Sequence, residues 1–171
     1  MSTDERIKKI TDIIIEWAEE KAKEGEIEFD KTFCKDAVVR YKTSNMTLLI
    51  PNNSDGKNSG FDDNTRPDHY AYEIECLVTK LKLRLAINYQ NISDETRKKC
   101  EELLEKYKMM PHDDVTPPTQ FRRLCLYEYK INDSTNEEKI REEMDKLFYQ
   151  MKGYEEFICY KMDEEKNKKA E

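Results

Sequence analysis

The stretch from Tyr70 to Tyr89, YAYEIECLVTKLKLRLAINY, constrains the fold of this chain more than any other. Tyr70, Tyr72, Ile74, Cys76 and Val78 alternate with Ala71, Glu73, Glu75 and Leu77. Beyond Thr79-Lys80 the phase is kept by Leu81, Leu83, Leu85, Ile87 and Tyr89, set against Lys82, Arg84, Ala86 and Asn88. Successive strand side chains point to opposite faces, so the pattern predicts two antiparallel strands sharing one apolar face. A tight turn at Thr79-Lys80 sets Val78 opposite Leu81, Cys76 opposite Leu83, Ile74 opposite Leu85 and Tyr72 opposite Ile87. The same register makes Glu75 and Arg84 a cross-strand charge pair, exposed on the polar face. A slip of one residue mixes the faces and is disfavoured. Thr-Lys is a poor two-residue turn, which leaves room for a longer loop.

Around this pair the remaining elements fall into place. Ser2 and Glu5 form a capping box ahead of Ile7, Ile10, Ile13, Ile14, Trp17 and Ala18, so a first helix runs to about Glu24 and stops at Gly25. Trp17 reads as a core anchor. Ala37 to Lys42 reads as a strand, and Met46 to Ile50 as helix or strand. Residues 51–67 have loop composition, long enough to suggest a functional segment. A second helix opens at Ser93 and carries Cys100, Leu103, Leu104 and Tyr107; a second loop spans 109–120. Arg122 to Ile131 is a strand with Cys125, Tyr127, Tyr129 and Ile131 on one face and Leu124, Leu126, Glu128 and Lys130 on the other. Thr135 and Glu138 cap a third helix, which Gly153 should kink or break; Tyr154, Phe157, Ile158 and Met162 continue its apolar stripe, and the tail from about 163 should fray. The expectation is a single α+β domain over 1–171. Its antiparallel sheet holds 70–78, 81–89 and 122–131, with helices packed on one face.

A formal charge of −7 argues against a free-standing nucleic-acid binder that relies on a net positive field. No apolar run approaches a membrane span, and the opening MSTDERIKK lacks a signal-peptide core, so no membrane partner and a cytoplasmic location are expected. The five cysteines are odd in number, widely spaced and without a Cys-x-x-Cys pair, which fits small buried hydrophobes. There are only four glycines, no phosphate-cradling loop and no Gly-x-Ser-x-Gly elbow. No cofactor and no metal site are called for.

One ordered set of short motifs runs through residues 40–158. It consists of Thr43, Ser44 and Met46; Leu48, Leu49, Ile50 and Pro51; Ser59, Gly60 and Phe61; Tyr72, Glu73 and Ile74; the strand Leu81 to Ile87; and Arg122 with Arg123. In this it resembles the C-terminal region of bacterial PD-(D/E)xK nuclease-superfamily proteins found near restriction and phage-defence genes. In that family the nuclease core would lie N-terminal to this region, where this chain has about one helix and a strand. The resemblance therefore implies a stand-alone accessory domain in a defence or counter-defence setting.

Two chemistries of the chain itself compete with that reading. A metal-dependent nuclease needs acids that hold the ion and a lysine that orients water. Glu128 and Lys130 are a Glu-x-Lys on one strand face, with Asp113, Asp114 and Asp68 as further acids; His69 and His112 each adjoin an aspartate. Alternating Glu and Lys is also an ordinary solvated strand face. A single-stranded nucleic-acid binder would use Lys80, Lys82, Arg84, Arg122 and Arg123 as a basic patch, or stack bases on Tyr70, Tyr72, Tyr89, Tyr127 and Tyr129. Those tyrosines share the core phase, and Glu73, Glu75 and Glu128 dilute the patch. The favoured expectation is a non-catalytic module binding a protein partner, through Phe61 and Met110 in the loops or through Lys82, Arg84, Arg122 and Arg123.

Overall fold

The computed structural model describes residues 1–50, 70–88, 112–114 and 121–170, together with Lys98. Helix α1 spans Thr3–Lys23. Ser2 Oγ accepts the Glu5 amide at 3.2 Å, as the capping box requires. At the other end Gly25 takes φ +76°, and its amide and that of Glu26 return to the carbonyls of Ala22 and Lys21. This is the paired closure that a left-handed glycine permits. A 3-10 turn at Lys31–Phe33 leads into β1 (Val38–Tyr41) and the short helix α2 (Ser44–Leu49), which settles the conformation of the 46–50 run. Strands β2 (Tyr70–Cys76), β3 (Lys80–Asn88), β4 (His112–Asp114) and β5 (Phe121–Lys130) follow, then α3 (Glu137–Ala170).

These elements make an α+β fold. The described strands form an antiparallel sheet in the order β1-β2-β3-β5-β4. Val39, Tyr41, Tyr70, Tyr72, Ile74, Leu81, Leu83, Leu85 and Ile87 bury one face against Ile10, Ile14 and Trp17 of α1 and against Ile140, Met144, Phe148 and Ile158 of α3. Met46 and Leu49 bring α2 to the same side. Trp17 is 2 % exposed, sits edge-on to Tyr41 and Phe148, and donates its indole N–H to Asp145 Oδ1 at 3.0 Å.

The hairpin keeps the expected faces but not the expected partners. Cys76 pairs with Leu81, Ile74 with Leu83, Tyr72 with Leu85 and Tyr70 with Ile87, two residues away from the register read from the sequence. The turn is Val78-Thr79, closed by the Leu77 amide on the Lys80 carbonyl at 2.9 Å. A two-residue shift leaves every side chain on its own face, so apolar alternation does not choose between the registers. The polar row does distinguish them. Arg40, Glu73 and Arg84 stand opposite one another across three strands, with Arg40 Nε 2.8 Å and Arg84 Nη2 3.3 Å from the Glu73 carboxylate. Glu73 is 0 % exposed and Arg40 2 %. The expected open polar face is therefore covered here: Phe33 packs with Ala71 and Ala86 on that side.

Four further expectations change. The register jumps from Leu83↔Tyr127 to Arg84↔Cys125, which leaves Leu126 as a bulge and ends the simple alternation of β5. His112–Asp114 is a strand rather than part of a loop. Asn136, not Thr135, caps α3, its Oδ1 accepting the Lys139 amide at 2.9 Å. Finally, α3 runs through Gly153 and the charged tail without a break. The helix expected over 93–108 lies outside the described residues except for Lys98, which is helical and exposed.

Candidate functional site

Among the described residues, the strand registers keep the nuclease candidates Asp114 and Glu128 apart. Asp114 pairs with Arg123 on β5, five positions from Glu128 and so roughly 16 Å along the strand. Glu128 Oε1 instead lies 3.6 Å from Lys80 Nζ and 3.7 Å from Lys82 Nζ. Lys130 is exposed at the end of β5. Asp113 pairs with Leu124 and His112 with Cys125. Asp68, His69, Phe61, Met109, Met110 and Val115 lie outside the described residues. Among the described residues no group of three or more His, Cys, Asp or Glu side chains is placed to hold a metal ion.

The basic patch is only partly brought together. Arg84 Nη1 is 3.1 Å from Glu75 in addition to its contact with Glu73, and Lys82 and Lys80 share Glu128. Arg123 takes the register position opposite Ala86, but Arg122 stands opposite Ile87. Ile87 belongs to the apolar core. Arg122 and Arg123 are consecutive in β5, so pleating sends them to opposite faces and only one of them can join the patch. Each described cation here has an acid within 4 Å, so this part of the sheet is an ion-pair lattice rather than an unopposed positive field.

Two features not anticipated from the sequence lie on α3. The first is a row of half-exposed aromatics. Tyr149, Tyr154, Phe157 and Tyr160 retain 50, 45, 51 and 62 % of their surface. Of the expected stripe Tyr154, Phe157, Ile158 and Met162, the first two lie outside the core and the last two in or against it; the core phase runs through Phe148, Met151, Ile158 and Met162. Gly153 sits among these aromatics, exposed, and a Cβ added there meets nothing within 4 Å.

The second is a buried carboxyl. Glu155 occupies the core phase of α3 between Met151 and Ile158 and is 2 % exposed. Its Oε1 accepts hydrogen bonds from Thr43 Oγ1 at 2.7 Å and from the Tyr72 hydroxyl. Thr43 can reach it because it is the N-cap of α2, and its Oγ1 also accepts the Met46 amide at 3.2 Å. Tyr70 braces the same corner, its hydroxyl donating to the Thr43 carbonyl at 2.9 Å and lying 2.6 Å from Thr47 Oγ1. Burial pushes the Glu155 carboxyl above the ordinary carboxylate range, against the opposing hydrogen bonds from Tyr72 and Thr43. Burial likewise raises Tyr41 and Tyr72, with the Glu155 charge adding to the effect. Beside the carboxyl lies a cavity of about 210 Å³, lined by Tyr41, Thr43, Tyr72, Phe148 and Glu155 with Glu26 and Lys152 among its other residues. Lys152 Nζ is 2.8 Å from Glu26.

No family model, curated protein or solved structure matches this chain.

Proposed function

We propose that this chain is a non-catalytic binding module whose partner is a protein, docked on the outer face of α3 around Gly153. The observation that carries this reading is the aromatic row itself. Large aromatics half out of water at four positions of one helix are what an interface uses as anchors, since they bring much area at little entropic cost. The exposed glycine adds to it. In a helix interior glycine costs about 1 kcal/mol relative to alanine, and nothing among the described residues needs the space. A close-approaching partner backbone would need it. The defence or counter-defence setting rests on the resemblance of residues 40–158 alone.

The test is a pull-down from the native cell with the wild-type chain and a Tyr154→Ser/Tyr160→Ser variant. The expected result is a specific partner captured by the first and lost by the second, with the melting temperature unchanged. Equal capture by both sinks the assignment of this face. A wild-type dimer in sedimentation that the variant lacks makes the partner a second copy of the chain.

A further inference from the structure

The Glu155 cavity is independent of the proposed docking face and unused by it. Two of its lining groups, both more than nine-tenths buried, have unmet hydrogen-bonding capacity: among the described residues, neither Glu155 Oε2 nor the Tyr41 hydroxyl takes part in a hydrogen bond. They are not sealed by packing either, since the buried unpartnered side-chain atoms of the described residues are Arg6 Nε and Arg84 Nε. Both side chains line the cavity. A buried acceptor and a buried hydroxyl left facing one cavity are costly unless something fills it.

We infer that this cavity is a binding site for an alkylammonium group, with Glu155 as its counter-ion and the rings of Tyr41, Tyr72 and Phe148 as its walls. The walls are aromatic: Tyr41 and Tyr72 stack on each other at 5.1 Å between centroids, which covers one face of each, and the remaining ring faces are what would attract an ammonium group. The floor suits a donor-rich ligand, because an ionised carboxylate only accepts. With Glu26 paired to Lys152, Glu155 is the remaining carboxylate of the lining, and one carboxylate with no ligand cluster among the described residues fits an organic monocation better than a hard metal ion, which takes six or more oxygens. The resident cation at the cavity, Lys152, is already engaged by Glu26. Size limits the ligand: about 210 Å³ falls short of the roughly 300–1,000 Å³ of drug-sized pockets, which suits one amine head and a short chain. That chemistry belongs equally to a free small amine and to a lysine side chain of another protein.

Trp17 supplies the readout. It is the only tryptophan, and its ring packs edge-on against Tyr41 at 6.0 Å and against Phe148 at 5.9 Å. The full chain is titrated at constant ionic strength with n-butylammonium chloride and, separately, with n-butanol, which has the same chain and no charge. Tryptophan emission and melting temperature are followed. The expected result is a saturable change for butylammonium, with a dissociation constant on the order of 1 mM, at least tenfold tighter than for butanol. Glu155→Gln, which keeps an acceptor for Tyr72 and Thr43, should abolish that preference; Tyr41→Phe should weaken binding while keeping the ring. Nα-acetyl-lysine N-methylamide as a third ligand separates the sources: tighter binding than butylammonium assigns the site to a protein lysine, weaker binding to a free amine. No saturation, or equal response to butanol and butylammonium in the wild type, overturns the proposal and leaves a hydrated cavity. That contrast holds even if a variant fails to fold.

Discussion

Replacing Glu73 by glutamine should destabilise the fold more than removing any other charge on the sheet. Glu73 is wholly buried and stands between Arg40, itself 2 % exposed, and Arg84. Removing one partner of a buried ion pair costs about 3–5 kcal/mol, because the remaining charge stays desolvated. The lower end applies here. Arg84 keeps Glu75 at 3.1 Å, and the Arg40 guanidinium keeps the Phe33 carbonyl at 3.2 Å. The expected loss is thus about 3 kcal/mol, or roughly 6–12 °C in melting temperature for a domain of this size. Glu75→Gln is the matched control. Its side chain is 27 % exposed, so the loss should stay below about 1 kcal/mol. Urea unfolding followed by circular dichroism gives both numbers. The comparison also decides the register, because the one read from the alternation puts Glu75, not Glu73, opposite Arg84. A double variant, Arg40→Met with Glu73→Leu, removes the buried pair instead of orphaning half of it and should be more stable than Glu73→Gln. The reasoning would be refuted by a Glu73→Gln protein within about 1 kcal/mol of wild type, or by Glu75→Gln being the more damaging of the two.

Gly153→Ala should raise stability by about 1 kcal/mol, since the added methyl meets nothing within 4 Å; a loss in urea unfolding would place something against that face of α3. Ile74→Asp and Leu85→Asp each put a charge into the apolar face of the sheet and should abolish the folded circular dichroism spectrum, whereas retention of the spectrum would contradict the strand phase. Glu155→Gln should have a pH-dependent effect. The folded carboxyl titrates above its ordinary value of 4.5, so the folded state binds the proton more tightly and this group's contribution to stability falls as pH rises from about 4.5 toward the folded value. Among the described residues, Tyr41, Tyr70 and Tyr72 from the sheet, and Lys152, Glu156 and Cys159 from α3, are titratable groups around it. The stability of the glutamine variant relative to wild type should therefore be greater at pH 7 than at pH 4.5; an equal difference at both values counts against the raised titration.

What was legible in the sequence follows from which physical signals are local. The faces of β2 and β3 were readable because pleating has a period of two, and Ser2, Glu5 and Gly25 marked the ends of α1 because caps act over three or four residues. The register was not readable by the same means, since a shift of two preserves every face; what separates the registers is which acid Arg84 stands opposite, and it is Glu73, the acid also held by Arg40 thirty-three positions upstream. The bulge at Leu126 was hidden for a related reason: it is a property of the β3–β5 ladder, not of β5. Gly153 misled the reading of α3 in a different way. Read as a break, it frees the phase beyond it and lets Tyr154 and Phe157 join the apolar stripe with Ile158 and Met162. With the helix continuous, the stripe Phe148, Met151, Ile158 and Met162 keeps one phase, and the residue that falls into it between Met151 and Ile158 is Glu155. An acid at a core position of an otherwise apolar stripe is expensive to bury unless its environment is built to receive it. Thr43, Tyr70, Tyr72 and the cap of α2 are that environment, drawn from segments more than eighty positions upstream. The acid was therefore visible in the sequence, and its surroundings only in the fold.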